Sequence, residues 1–284
     1  MNQPLPHLTP RPADAHKGDF GSALIVGGSR GMTGAVVMAG MAALRGGAGL
    51  VRLAVPASCL DIVAGFEPSY MTAPLADDAA GRISAPAEQQ VLDLAQTATV
   101  VACGPGLGRS EELQKFVAGL YQQLPQPMVA DADALNALAA QPHELSRHAG
   151  PRILTPHPGE FARLLGKKLE GEAREQAAVD LAARAKLVLV LKGYHTLITD
   201  GTRQWHNTTG NPGMATGGSG DTLTGLVTAL ACQGLEPYEA ARLAVYLHGL
   251  AGDLAAAELG QVSLIASDIV RYLPAAFQEF AAQS

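Results

Sequence analysis

Apolar residues run in short unbroken blocks along the first two thirds of the chain. "SALIVGG", "LVRLAVP", "TVVACGPG", "PMVADAD", "RILTPHPG" and "KLVLVLKG" each end in a glycine, a proline or an acid. Continuous apolarity, rather than alternation, predicts strands of a parallel sheet covered on both faces. Between the blocks the period becomes helical. "AVVMAGMAALRGG" follows the first, and Leu113, Phe116, Val117, Leu120 and Leu124 share one face of another helix. "HTLITDG" and "TRQWHN" read as a hairpin or sheet edge. From Asp221 onward the chain is mostly helical: Leu223, Leu226, Val227 and Leu230 fall at i, i+3, i+4 and i+7, and Leu243, Tyr246, Leu247, Leu250 and Leu254 mark a second stripe. The pattern predicts an α/β fold, a three-layer α/β/α sandwich around a mostly parallel central sheet. No repeat or linker interrupts it, so residues 1–284 are expected to form a single domain.

Composition sharpens the picture in three places. The 284 residues are 48% hydrophobic, enough for a large core, and the 32 glycines cluster in "VGGSRGMTG", "GGAG", "CGPGLG" and "GGSGD", loops that approach something closely. A net charge of −6 without any basic run argues against nucleic acid or an anionic membrane as the partner. Cys59, Cys103 and Cys232 are scattered and form no Cys-x-x-Cys pair, so neither a disulfide framework nor a zinc site is expected. The N-terminal "MNQPLPHLTPRPADAHKGDF" lacks the apolar centre of a signal peptide, and no later apolar run approaches the ~18 residues of a membrane span. A cytoplasmic location is the expectation.

The chemistry is concentrated where the strand blocks end, the edge at which open parallel sheets bind ligands. Gly27, Gly28, Gly104 to Gly108, Asp131, Asp133, Thr155 to Glu160, Lys192 and Gly193 all fall there. The same holds for "MATGGSGDTLTGLVTAL". Asp221 sits at or just inside a helix N-terminus, and Gly217, Gly218 and Gly220 leave the preceding backbone bare, a natural anion site. Two readings remain open: a functional carboxylate beside an anion hole formed by Gly218, Ser219 and Gly220, or a helix cap supplied by Asp221, Ser219 or Thr222. In "TPHPGEF" two prolines hold His157 in an extended turn and Glu160 opens the next helix; the plain alternative is a histidine bonded to a neighbouring carbonyl. Lys192 ends a buried strand, where its charge needs solvent or an anionic partner. No Walker-type loop is present, and "VGGSRGMTG" lacks the Gly-x-Gly opening of the dinucleotide fingerprint. Carboxylates such as Glu160 and Asp221 suit Mg²⁺ held through water and phosphates.

Together, "HKGDFGSALIVGGSRGMTGA", "CGPGLG", "DADAL", "TPHPGEF", "VLKGYHT" and "GNPGMATGGSGDTLTG" resemble the nucleotide-dependent NAD(P)H-hydrate dehydratases, a branch of the ribokinase-like superfamily, over roughly residues 16 to 260. Related vitamin kinases carry Thr-Pro-Asn-x-x-Glu where this chain has Thr155, Pro156, His157 and Glu160. The resemblance implies a ribokinase-like fold and repair of hydrated NADH or NADPH (NADHX, NADPHX): ADP, or ATP in eukaryotic members, phosphorylates the ring hydroxyl, and phosphate then leaves. It implies Asp221 as the base. Ala35, Gly106, His157 and Asp221 would contact the hydrated cofactor, and Lys192, Gly193, Tyr194, His195, Thr196 and Gly220 the nucleotide, with Glu160 as a Mg²⁺ or phosphate partner. It further implies a homo-oligomer, commonly a tetramer, and a separate epimerase. A vitamin-precursor kinase is the alternative enzyme. A sensor without turnover predicts loss of the Asp221 carboxylate or its glycines, and both are intact. His16 and Lys17 receive no role.

Overall fold

The computed structural model describes residues 4–282; Met1 to Gln3 of the proline-rich N-terminal stretch, and the last two residues, lie outside them. Along the chain run β1 (Ser22–Val26), α1 (Thr33–Arg45), β2 (Leu50–Pro56), α2 (Leu60–Ala64), β3 (Met71–Leu75), α3 (Ala87–Ala95), β4 (Val100–Cys103) and α4 (Glu111–Gln123). Next come β5 (Met128–Ala130), α5 (Asp133–Ala139), β6 (Arg152–Leu154), α6 (Pro158–Leu165), α7 (Gly171–Ala185) and β7 (Val188–Leu191). The hairpin strands β8 (Leu197–Thr199) and β9 (Gln204–His206) precede α8 (Ser219–Cys232), α9 (Pro237–Leu259) and α10 (Ala266–Ala282).

All nine strands join one sheet in the order β3-β2-β1-β4-β5-β6-β7-β8-β9. Pairing is parallel from β3 through β7 and antiparallel only where the hairpin is added. Successive residues of a strand enter opposite cores: Ala23 and Ile25 of β1 pack with α1, α8, α9 and α10, while Leu24 and Val26 pack with α3, α4, α5, α6 and α7. This is the three-layer α/β/α sandwich expected from the unbroken apolar blocks, because both faces of a pleated strand are covered.

The α8 helix departs from the stripe expected of it. Every residue from Thr222 to Cys232 is buried. The helix lies between the sheet, α1 and α9, so no face meets water. Its threonines tolerate this because their hydroxyls are bonded: Thr222 to the Gly218 carbonyl oxygen (3.1 Å), Thr224 to Asp131 Oδ2 (2.7 Å) and Thr228 to the Thr224 carbonyl oxygen (2.7 Å). Gly225 lets α1 come close, since a Cβ there would fall 1.9 Å from the Ala39 carbonyl oxygen. The first turn of α8 is thereby held at the carboxyl ends of the central strands.

Candidate active site

The α8 N-terminus begins at Gly218, whose φ of 93° is a left-handed conformation suited to glycine, and it has no side-chain cap. The N–H groups of Gly218, Gly220 and Asp221 find no acceptor among the described residues, whereas that of Ser219 donates to the Thr216 carbonyl oxygen (3.4 Å). Asp221, third residue of the helix, makes no capping bond, so the cap reading of the "GGSGD" stretch does not hold for it. Its carboxyl is pushed up to about 7, chiefly by burial and then by the negative charge of Asp131, partly offset by Lys192.

Beside it lies a cluster of carboxylates around one lysine. Asp131, at the end of β5 and 1% exposed, accepts from Lys192 Nζ on Oδ1 (2.8 Å) and from Thr224 Oγ1 on Oδ2 (2.7 Å). Glu160 Oε2 lies 3.9 Å from the same Nζ. Burial alone would push Lys192 down, but Asp131 and Glu160 outweigh it and hold the ammonium above its ordinary range. Lys192 therefore has an anionic partner inside the protein. Gly220 adjoins the same ammonium: a Cβ there would sit 3.1 Å from Lys192 Nζ.

His157 and Glu160 form a reciprocal cap on α6. His157 Nδ1 accepts from the N–H groups of Gly159 (3.0 Å) and Glu160 (3.4 Å), and Glu160 Oε2 accepts from the His157 N–H (2.9 Å). With Nδ1 as acceptor, the proton of the neutral ring belongs on Nε2, which lies 3.4 Å from Glu160 Oε1. Burial, with Lys192 and Arg163 adding to it, lowers the His157 pKa; burial also pushes Glu160 up to about 7. The imidazole is thus a neutral donor at the cluster's rim, bonded to N–H groups rather than to a carbonyl.

Residues 23–275 match the NAD(P)H-hydrate dehydratase family. The chain belongs to that family. It is 47% identical over 272 residues to the bifunctional NAD(P)H-hydrate repair enzyme of Moorella thermoacetica, covering 94% of this chain and 51% of that protein. It is 39% identical over 266 residues to the Escherichia coli enzyme of the same description, covering 92% and 48%. The chain thus spans about half the length of the curated relatives it matches. The crystal structure of the Bacillus subtilis ADP/ATP-dependent NAD(P)H-hydrate dehydratase, co-crystallised with ATP/Mg²⁺, superposes with a TM-score of 0.82 at 33% identity, covering 96% of this chain and 94% of that one.

Within this family member the remaining expected residues separate into two neighbourhoods. Ala35 and Gly106 are neighbours, since a Cβ on Gly106 would fall 3.1 Å from that of Ala35; it would also fall 2.4 Å from the Met32 carbonyl oxygen. Gly106 is therefore bare for the chain's own packing, whatever lies above it. The Lys192-to-Thr196 segment is the β7–β8 turn. Thr196 Oγ1 donates to the Gly193 carbonyl oxygen (3.0 Å), His195 takes a left-handed φ of 54°, and Tyr194 is 94% exposed with its ring 4.0 Å from that of His195. The sheet order puts this turn on one side of the carboxylate cluster and Ala35 with Gly106 on the other.

Among the described residues no three His, Cys, Asp or Glu side chains converge to hold a metal directly. Asp131, Glu160 and Asp221 nevertheless crowd three carboxylates around one ammonium, and that excess of negative charge fits a cation held through water and ligand phosphates.

Two residues of the site, Thr224 and His248, are not singled out by the sequence, and two that are, Asp131 and Asp133, have roles that only the fold separates. Asp131 and Asp133 were visible as acids at a strand end, but not their division of labour: Ala132, at φ 50°, turns them apart, so that Asp131 enters the cluster while Asp133 accepts from the Gly108 N–H (2.9 Å) and steadies the "CGPGLG" loop. Thr224 and His248 carried no signal that set them apart from the other polar residues of α8 and α9.

Proposed function

We propose that these residues act as one ribokinase-like domain that dehydrates NADHX and NADPHX to NADH and NADPH at the expense of a nucleotide, ADP being the expected phosphoryl donor. The observation that carries this reading is the unpartnered Asp221 carboxylate, placed in the same helical turn as free N–H groups. A carboxylate and an anion hole side by side are the parts that phosphoryl transfer to a hydroxyl requires.

The hydroxyl oxygen of the hydrated ring attacks the terminal phosphorus of the nucleotide, and the bond from that phosphorus to the leaving oxygen breaks, releasing AMP when ADP is the donor. Asp221 takes the hydroxyl proton late, as attack lags behind departure of the leaving group. The N–H groups of Gly218 and Gly220 hold the phosphoryl oxygens, with Ser219 part of the same turn. The ring nitrogen then pushes out phosphate, the neighbouring ring carbon gives up a proton, and the carbon–carbon double bond re-forms. Ala35, Gly106 and the Nε2–H side of His157 bound the hydrated ring. The Lys192, Gly193, Tyr194, His195 and Thr196 turn, with Gly220, bounds the nucleotide. Mg²⁺, held through water beside Glu160 and Asp221, would neutralise phosphate charge when bound.

Epimerisation of the substrate falls to an epimerase outside these 284 residues. The working form is a cytoplasmic homo-oligomer, expected to be a tetramer. No helix among the described residues is long and apolar enough to cross a membrane. Incubating the protein with hydrated NADH, Mg²⁺ and ADP or ATP should restore the reduced-nicotinamide absorbance. A stable phosphorylated vitamin alcohol, without cofactor recovery, would assign the site to a kinase instead.

A further inference from the structure

One stretch of α9 seats the middle of the connection from β9 to α8, from Thr209 to Met214. Thr209 Oγ1 donates to the Tyr246 carbonyl oxygen (2.8 Å), and Asp253 accepts from the Gly210 N–H (2.8 Å) and from Asn211 Nδ2 (2.9 Å). Gly249 and Gly252 are bare because a Cβ would meet Thr209 Oγ1 at 2.2 Å and Met214 Sδ at 2.3 Å. Where this seat reaches α8 stands His248, 9% exposed, with Nε2 3.0 Å from the Ser219 carbonyl oxygen and 3.5 Å from Ser219 Oγ. A carbonyl only accepts, so the nitrogen facing it carries the proton. Burial keeps the ring neutral by pushing its pKa down to about 4.

The Ser219 C=O and the Gly220 N–H belong to one peptide unit. That unit is planar and trans, so the two bonds point in opposite directions. The oxygen already takes the helix's own bond from the Leu223 N–H, so the His248 bond is its second and locks the orientation of this first turn. With the oxygen so held the Gly220 N–H points the opposite way, and each hydrogen bond accepted by the carbonyl polarises the peptide and strengthens its N–H as a donor. We propose that His248 is a positioning residue, whose Nε2–H fixes the Ser219–Gly220 peptide plane and so aims the Gly220 N–H at the phosphoryl group in transfer. The proposal rests on the phosphoryl-transfer reading above. A histidine that merely fills the core would be replaced by any side chain of similar volume.

Three variants separate these roles. His248→Leu keeps volume without a donor, His248→Gln keeps an N–H at a similar reach, and His248→Met substitutes for the leucine variant if that does not fold. The donor-free variant should lose kcat by about tenfold to a hundredfold, below the full loss of an oxyanion donor. Its KM for ADP and for hydrated NADH should stay within about threefold, and His248→Gln should recover most of kcat. Equal kcat in the glutamine and donor-free variants, or a loss carried by KM, would overturn the proposal. Crystal structures supply a readout that does not depend on turnover: the Ser219–Gly220 peptide should be rotated in the donor-free variant and native in the glutamine variant. If wild-type protein shows no nucleotide-dependent recovery of NADH, the functional reading fails, and an unchanged peptide plane in the donor-free variant would sink the clamp separately.

Discussion

Lys192 and Asp131 are joined by a 2.8 Å ion pair at the centre of the site, with Asp131 1% exposed and Glu160 3.9 Å from the same ammonium. The lysine that the family resemblance gives to the nucleotide is thus also the counter-ion of the carboxylate cluster.

Lys192→Met should act on both roles. Nucleotide affinity should fall far more than hydrated-cofactor affinity. The uncompensated Asp131 carboxylate should lower stability by about 3 kcal/mol, the lower end for breaking a buried pair. Calorimetric titration with each ligand, together with thermal melts, measures the two effects; equal affinity losses for both ligands would contradict the placement.

Asp221→Asn should lower turnover by at least ~10²-fold, the lower end for a positioned general base. Its effect on stability has the opposite sign. The folded-state pKa of Asp221 is raised to about 7, so the folded protein holds a proton that the unfolded chain has released, and stability falls as pH rises from about 4 toward 7. Asparagine does not ionise and escapes this loss. Melting temperatures of variant and wild type should coincide near pH 4, with the variant several degrees higher at pH 7 and above; a variant that is never the more stable would refute the buried-carboxylate account.

With Asp221 as the proposed base, the pH profile of kcat/KM should climb to about 7 and level off, because a carboxyl accepts a proton only when ionised. Glu160→Gln should shift that acid limb to lower pH, since the negative charge of Glu160 is one of the causes raising Asp221. Glutamine still accepts the His157 N–H, so the α6 cap persists. An unmoved limb, or one displaced upward, would detach Glu160 from the cluster's electrostatics.

Arg152 offers a contrast far from the chemistry. It is 1% exposed and its guanidinium donates to the carbonyl oxygens of Tyr121, Leu124, Gln126 and Pro151, closing the C-terminal end of α4 at the opposite edge of the sheet. Arg152→Met should cost about 3 kcal/mol by leaving buried carbonyls without donors. Below the melting transition its kcat should remain within about twofold of wild type. Denaturant unfolding and steady-state kinetics on one preparation decide the matter.

Much of the molecule could be read before folding because its signals are local. Strands buried on both faces are dominated by apolar residues, so β1, β2, β4, β5, β6 and β7 stand out as apolar blocks, with Arg52 in β2 and Arg152 at the start of β6 as the charged exceptions. β3 does not: Met71–Leu75 is an edge strand carrying Pro74, with exposed residues interleaved, and its pairing with β2 is visible only in the sheet. The hairpin and the position of Asp221 in the first turn of α8 were legible from turn chemistry and helical period. The burial of α8 on every side was not, because Thr224 and Thr228 look polar until their hydroxyls are seen to be bonded.

The layers, the edge at which the chemistry gathers and, through the motifs, the family can all be read along the chain. Which charges meet cannot, because it depends on how the elements are brought together. Asp131 and Lys192 are separated by 61 positions, and Asp131 and Thr224 by 93. Hydrophobic period reports which face of an element is buried, but a Coulomb interaction or a hydrogen bond depends on separations of a few ångströms between elements, and those are set by how the sheet orders its strands.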